Sequence, residues 1–571
     1  MDKKDLQYCQ YQKMISVLDK LRLEKIKSTI SEIPFVSKIN RIEQGELFVS
    51  GNIEIAFEEL ENPLFFDFLI TQEYPLKTYS SESITFFNAD LIQYNHVMAN
   101  GNICIHTAHS EDLENKIWID FNALKAWIIK YYINKEKDQK YEHLVVQDSA
   151  VNGDKYSFTF TSTGKVFQEG EIGIVKLSLL HDGYHKKDHI YNFYVQYFET
   201  FPDLKKNCFW NDFYFKQPTD REGIYLFREN PPAKYNRFAH STWAELDLPQ
   251  DILTMLREFQ DKCVKEDYGK IIPFFLGYKI NSTEIHWQVA LMEVGKFPIK
   301  GIPERNEGKK TGRWYTGIDD TPIHWGISRN ASYEYFFGRG KFCDAITEAK
   351  ILIIGVGAVG SMIATTLTRS GCRFIDFIDH DVKEPENVCR SEYRFSKGIN
   401  NKILELVGSL YEISPFVTSH QINNDYFEKY IKSFYTDENI RAYITADLDK
   451  YDIIFDCSTD NDLMYVLNKL TLHSKLINIS LTNHANELVC AFYPNIYNFV
   501  NNQFSNVLEN DVSDMYEPTG CWSPTFKASY NDIALLVQMA LKQINRIFSG
   551  EKAFNNFVIQ ENNSSFKIIE Y

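Results

Sequence analysis

Ile351-Leu352-Ile353-Ile354-Gly355-Val356-Gly357-Ala358-Val359-Gly360 is the stretch that decides the fold. An apolar, β-rich run enters a Gly-x-Gly-x-x-Gly turn. A helical pattern follows over Ser361–Arg369, and a second apolar run, Phe374–Ile378, leads into Asp379. Strand, glycine turn, helix and strand in that order read as a βαβ unit that binds a nucleotide. Gly355 and Gly357 permit a tight turn and a close approach of backbone to ligand, and Gly360 lets the helix pack on the strand. The helix N-terminus offers unpaired N–H groups to phosphate. Asp379 is spaced to accept a hydrogen bond from a ribose hydroxyl.

Many dehydrogenases carry such a unit, so residues further on decide the chemistry. Asp379 and Asp381 lead into Asn387-Val388-Cys389-Arg390, then Lys402, then a second carboxylate cluster, Asp456-Cys457-Ser458-Thr459-Asp460-Asn461. A nicotinamide enzyme has no evident need for Arg and Lys there. An enzyme that splits ATP between its α and β phosphates needs cations on the departing pyrophosphate and a carboxylate for Mg²⁺.

This arrangement resembles the adenylation domain of the ThiF/MoeB and ubiquitin-activating enzyme family, over roughly residues 330–571. The resemblance implies adenylation of the C-terminal carboxylate of a small protein, with ATP and Mg²⁺. It implies that Gly355, Gly357 and Gly360 form the nucleotide loop and that Asp379 binds ribose. It assigns Asn387, Arg390 and Lys402 to the triphosphate, and Asp460 to the magnesium. The family usually has one residue between the cysteine and the last Asp; Ser458-Thr459 makes two, which leaves Asp456 and Asp460 both open as the magnesium ligand.

Two cysteines are candidate nucleophiles. Tyr516-Glu517-Pro518-Thr519-Gly520-Cys521-Trp522-Ser523-Pro524-Thr525-Phe526 reads as a loop, because Pro518, Gly520 and Pro524 break helix and strand. A helical pattern begins near Tyr530. The Gly-Cys-x-x-Pro-Thr-Phe string resembles that of bacterial fusion enzymes of this family, which implies that Cys521 receives the acyl group from the adenylate. Burial as a small apolar residue is the alternative.

Cys104 has its own context. Strands at 47–57, 63–70 and 83–88, a Glu73-Tyr74-Pro75 turn, His96-Val97-Met98-Ala99-Asn100-Gly101-Asn102-Ile103-Cys104, Trp118 and a helix over about 120–132 follow one another. That order resembles the ubiquitin-conjugating fold over roughly residues 1–135. Conjugating enzymes carry an asparagine eight residues before the cysteine; here it is His96, which can donate to a developing oxyanion or act as a base. Ser110–Lys116 reads as an insertion. A buried strand-end cysteine is the alternative for Cys104, since Ile103 and Ile105 flank it.

Taken together, the expected fold is α/β and α+β multidomain. A ubiquitin-conjugating-like domain spans 1–135, a strand-rich linker domain 136–330, and a Rossmann-like adenylation domain with its cysteine loop 331–571. Within the linker, helix is expected over 248–265 and strands over 143–200, 271–280 and 284–293, with 295–345 an ordered connector. Arg339 and Lys341 precede the first adenylation strand, and His484 is a weak candidate for lining the acyl site.

At 571 residues with 44% hydrophobic content the chain can build several cores. Its net charge of −16 argues against direct nucleic-acid binding. The polar start does not read as a signal peptide, and no run of about 18 apolar residues suggests a membrane span. The ten cysteines include no Cys-x-x-Cys pair, so no structural zinc is expected. Scattered thiols fit a reducing bacterial cytoplasm.

A conjugating-like domain preceding an activating domain resembles the fusion enzymes of bacterial anti-phage CBASS operons. That implies a homodimer, a partner with a small C-terminal residue (a cGAS-like nucleotidyltransferase) and an amine-bearing acceptor. Three rivals stay open: an activator of a sulfur carrier or small molecule, a nicotinamide dehydrogenase, and a non-catalytic nucleotide-binding scaffold.

Overall fold

The computed structural model describes residues 22–45, 48–71, 73–77, 82–136, 146–185, 188–200, 204–235, 237–306, 309–420, 422, 431–508, 528–562 and 565–571. Cys521 lies outside them. Among the described residues, no helix is long and apolar enough to cross a membrane.

A helix over 22–31 precedes a five-stranded antiparallel meander in sequence order: Val36–Gln44, Phe48–Ile55, Leu64–Thr71, Ile84–Phe87 and Asn102–Ile103. Alternation at period two places Phe66, Phe68 and Ile70 in the core while Phe65 and Asp67 face outward. Phe68 and Phe86 meet Phe121 of the next helix edge-on, with ring centroids 6.3 and 5.2 Å apart.

That helix is Leu113–Trp127, continued by a wider turn over Ile128–Ile133. Asp112 caps it, accepting from the Asn115 N–H at 2.7 Å. The expected start near 120 is too late. Residues 113–116, read as part of an insertion, form the first turn, because the charges of Glu114 and Lys116 interrupt an apolar stripe that Ile117, Phe121 and Leu124 continue.

The middle of the chain builds one nine-stranded mixed sheet. Its order is His324–Trp325, Ile285–Glu293, Ile271–Lys279, Arg221–Arg228, Ile172–His185, Asp188–Thr200, Asp154–Phe160 and Ile327–Asn330, with Leu204–Asn207 beside Asp188–Thr200. The helix Gln250–Lys262 packs on one face through Ile252, Leu253 and Leu256. Aromatic residues including Phe167, Phe198 and Trp287 fill the other. The stretch 295–345 is more than a connector. Ile299–Asn306 and Lys309–Ile318 form a hairpin, and Ile327–Asn330 pairs in parallel with Asp154–Phe160. Most hairpin residues are exposed, so no apolar face betrays them in the sequence.

The last sheet has seven strands: Phe374–Ile378, Lys350–Ile354, Ile453–Asp456, Lys475–Thr482, Glu487–Phe492, Phe557–Asn562 and Ser565–Glu570. The first four are parallel and the rest antiparallel. The parallel strands Lys350–Ile354 and Ile453–Asp456 are buried on both faces, which explains their unbroken apolar runs. Helices Ala358–Arg369 and Tyr530–Phe548 pack together on one side, with Gln538 Nε2 donating to Thr366 Oγ1 at 2.6 Å. The middle sheet meets this region at the end of helix Lys402–Ile413. There Tyr214 Oη donates to the Tyr411 carbonyl at 3.0 Å, and the Asn211 N–H donates to the Pro415 carbonyl at 2.7 Å.

Candidate functional site

The glycine turn leaves strand Lys350–Ile354 and starts helix Ala358–Arg369. Each glycine has its own physical reason. Gly355 has φ +80°, and a Cβ there would lie 2.7 Å from the Ser458 Cα. A Cβ on Gly360 would lie 2.0 Å from the Gly355 carbonyl oxygen. Among the described residues, apart from its chain neighbours, no atom lies within 4 Å of a Cβ at Gly357, so neither packing nor φ requires glycine there. The open space at this helix N-terminus is where a phosphate would approach the backbone.

Asp379 reaches back to this turn. Its Oδ2 accepts from the Val356 N–H and its Oδ1 from the Asp381 N–H, both at 2.7 Å. Tyr393 closes the other side, donating its hydroxyl proton to the Val356 carbonyl at 2.5 Å. Lys402 opens helix Lys402–Ile413, is buried, and sets Nζ 2.8 Å from Asp381 Oδ2. The turn, Asp379, Asp381 and Lys402 therefore form one connected group.

Asn387 and Arg390 lie on the short 3₁₀ helix Pro385–Arg390. Asn387 Oδ1 accepts from the Glu384 N–H at 2.9 Å, which caps the turn and leaves its Nδ2 group without a partner among the described residues. Arg390 is half-buried and makes no hydrogen bond or ion pair among the described residues. The following residues hold the segment against helix Ala358–Arg369: the Glu392 N–H donates to Ser361 Oγ at 3.3 Å. Tyr530, three residues beyond the undescribed stretch that contains Cys521, donates to Glu392 Oε1 at 2.6 Å.

The two carboxylates near Cys457 differ sharply. Asp456 is 1% exposed, and both its oxygens are used. Oδ1 accepts from Ser458 Oγ at 2.7 Å and Oδ2 from Asn478 Nδ2 at 2.9 Å. Burial pushes its carboxyl above the usual range, against those hydrogen bonds. Asp460 is exposed and caps helix Asn461–Lys469, with Oδ1 accepting from the Asp462 and Leu463 N–H groups at 2.9 and 3.0 Å. Its Oδ2 has no partner among the described residues. Thr459, the extra residue, takes φ +57° and is absorbed in a left-handed kink. Of the two, Asp460 fits a hard cation, because it keeps an open oxygen facing solvent.

Sequence reading missed three features. A buried hydrogen-bond chain runs Ser480–Asn478–Asp456–Ser458 and on to the Asp460 N–H. A buried ion pair, Lys383–Glu405 at 2.8 Å, braces the segment before Arg390. Asn483, His484 and Ala485 adopt φ of 52°, 56° and 62° in succession beyond strand Lys475–Thr482. Left-handed backbone costs about 1–2 kcal/mol per residue, so this turn is held against its preference. Only the paired polar residues in otherwise apolar strands (Asn478, Ser480) could have signalled the first of these.

Cys104 follows Asn102–Ile103 and is half-exposed. Its N–H donates to the His96 carbonyl at 2.7 Å, and Val97 bridges Ile103, so His96 and Cys104 face each other across a narrow ladder. His96 has φ +61°, and its ring lies 4.7 Å from that of Tyr131. Below the loop after Cys104, buried Lys116 pairs with buried Asp120 and donates to Thr107 Oγ1 at 2.7 Å, while the Tyr74 hydroxyl donates to Asp120 Oδ2 at 2.8 Å. By contrast Cys208, Cys372, Cys457 and Cys490 are buried, and burial pushes their thiols up. Cys389, beside Arg390, is exposed. Arg339 is exposed with no hydrogen bond or ion pair among the described residues, and Lys341 pairs with Asp344 at 2.7 Å.

Comparison with known proteins adds an independent finding. The model of the ThiF family matches residues 327–503. The ATP-dependent ubiquitin transferase-like protein Cap2 of Enterobacter hormaechei subsp. hoffmannii (strain UCI 50) is 28% identical over 281 residues. That match covers 47% of this chain and 44% of Cap2, so the chain spans less than half the length of that relative. Among solved structures, E. coli MccB with AMPCPP and MccA is 15% identical, covering 40% of this chain and 64% of that one, at a TM-score of 0.29. Selenomethionyl PaaA is 14% identical, covering 40% and 74%, also at 0.29. Structural likeness at this level carries no argument about substrate.

Proposed function

We propose that this chain uses ATP to adenylate the C-terminal carboxylate of a partner protein, then relays the acyl group through Cys521 and Cys104 to an amine. The observation that carries the first half is the convergence, within the ThiF-matched residues, of the glycine turn, Asp379, Lys402 and the Asp460 loop at one edge of a parallel sheet. The naming of Cap2 as a ubiquitin transferase-like protein supports the second half.

Chemistry follows from the donors present. The glycine turn and helix N-terminus bind the phosphates, and Asp379 orients the ribose. Partner carboxylate attacks the α-phosphorus, giving acyl-AMP and pyrophosphate. Arg390 and Lys402 take up the charge on the departing pyrophosphate. Lys402 already faces Asp381, so it is held in place before nucleotide arrives. Asp460 would hold Mg²⁺, which when bound neutralises phosphate charge. Cys521 thiolate then displaces AMP to give a thioester. Cys104 thiolate takes the acyl group and releases Cys521. An amine attacks the second thioester, forming an amide and freeing the Cys104 thiol; a proton leaves the amine. His96, whose carbonyl accepts from the Cys104 N–H, would serve that step as donor or base.

On this reading residues 1–135 are a ubiquitin-conjugating-like domain, 136–330 a linker and 331–571 the adenylation domain. The partner is a cGAS-like nucleotidyltransferase with a small C-terminal residue, the setting is CBASS anti-phage defence in the bacterial cytoplasm, and the chain works as a homodimer. ATP–pyrophosphate exchange tests it. Exchange should require the nucleotidyltransferase with its terminal carboxylate intact and vanish when its last residue is deleted. Tail-independent exchange would favour the small-molecule activator instead, and tight NAD binding with no exchange would favour a dehydrogenase.

A further inference from the structure

We infer that Arg237, in the middle sheet's flank, is a positioning residue for the Cys104 site. The inference rests on the proposed role of Cys104, but its physical content does not. Arg237 sits at the turn of a small hairpin, Ala233–Lys234 with Phe238–Ala239, its N–H bonded to the Lys234 carbonyl at 3.0 Å. From there its guanidinium crosses to the N-terminal unit. Nη1 donates to the carbonyls of Ile92, at 3.3 Å, and of Tyr94. More than 140 residues of chain separate the partners, so sequence reading had no signal for the contact.

The gripped carbonyls belong to the turn that delivers His96. Next along it, the Asn95 carbonyl accepts from Trp127 Nε1 at 3.0 Å, and the Tyr94 ring packs 5.1 Å from that of Tyr132. Then come His96, in the left-handed region against Tyr131, and its carbonyl on the Cys104 N–H. From Arg237 to Cys104 the path is therefore short: two carbonyls, two residues, one hydrogen bond. A left-handed, non-glycine residue persists only where its surroundings over-determine it. Trp127, Tyr131 and Arg237 are those surroundings.

The arginine is itself anchored. Its guanidinium lies 5.2 Å from the Phe238 ring centroid. Glu245 ties the hairpin down, accepting from the Ser241 N–H at 2.7 Å and from Lys234 Nζ at 2.5 Å. The Lys234 ammonium and the Ser241 N–H hold its carboxyl down at about 2. A fixed, permanently charged fork suits carbonyl groups that have no other donor among the described residues, and lysine has one point of charge where arginine has a planar set of five N–H groups.

Two readouts on the full-length chain test this. Hydrogen exchange of the amides in residues 92–104, the Cys104 amide above all, should quicken about tenfold in Arg237→Ala, the scale of a lost charge-assisted hydrogen bond. ATP–pyrophosphate exchange should stay at the wild-type rate while acyl loading of Cys104 slows, and Arg237→Lys should recover part of both. Unchanged exchange in 92–104 in Arg237→Ala overturns the inference. So does faster exchange spread evenly over the chain, which would mean general destabilisation. If wild-type Cys104 never carries an acyl group, the relay reading fails, yet the local exchange still decides whether Arg237 positions the turn.

Discussion

Gly355 and Gly357 stand two residues apart, yet they answer to different forces. Gly355→Ala must strain a left-handed backbone and meet the Ser458 backbone, so it should lower stability by about 1–3 kcal/mol, read by thermal melting. Gly357→Ala meets nothing among the described residues. It should leave the melting temperature unchanged and raise the KM for ATP roughly tenfold, the cost of one lost phosphate contact. Asp460 permits a similar separation, because it is both a helix cap and the candidate magnesium ligand. Asn caps as well as Asp does, so Asp460→Asn should melt like wild type and lose about 100-fold in pyrophosphate exchange. Asp460→Ala should lose the same activity and about 1 kcal/mol of stability besides. Behind it, Asn478→Leu would leave one buried oxygen of Asp456 without a donor. That should cost about 1–3 kcal/mol in denaturant unfolding and lower exchange by loosening Ser458 and the Asp460 backbone.

At the scale of elements, local chemistry made the glycine turn, its flanking strands and the helix from Tyr530 legible, since each is signalled by residues next to one another. Long-range pairings were not. The hairpin Ile299–Asn306 with Lys309–Ile318 has hardly any buried face, and Ile327–Asn330 owes its place to a partner far along the chain. The glycines and Asp379 could be named from spacing, and Asn387, Arg390, Lys402 and Asp460 from the resemblance, but the difference in burial between Asp456 and Asp460 is not something spacing encodes. Charged residues inside the middle sheet were equally silent. Lys206 is buried against Glu171, which also accepts from Thr200 and Tyr225. Burial pushes the Glu171 carboxyl up, but Lys206 and the other donors outweigh it and hold it below its usual value. A carboxyl lowered on folding contributes stability above its unfolded pKa, lost as pH falls through the folded one. The wild-type melting temperature should therefore drop on acidification below about pH 4.5, and Glu171→Gln should drop less steeply from a lower starting value.

Across the whole molecule, segments flanking the middle sheet touch both candidate sites. Tyr214 and Asn211 dock at the end of the helix that begins with Lys402, and Arg237 grips the turn that leads to Cys104. On the proposed reading this region would space the two sites. Transfer between thioesters is nearly isoenergetic, so in the proposed relay direction would come from geometry, and the two thiols would have to come within bonding distance through loop movement, domain motion or exchange across a dimer. The most direct measurement is to co-express the chain with its genomic neighbours, add ATP, and compare reduced with non-reduced gels, mapping adducts by mass spectrometry on Cys104, Cys389 and Cys521. The account predicts a reductant-sensitive acyl adduct on Cys521 that accumulates further in Cys104→Ala, and no adduct on Cys104 in Cys521→Ala. Normal conjugation by Cys521→Ala, or ATP cleavage to AMP and pyrophosphate with neither thiol ever loaded, would contradict it.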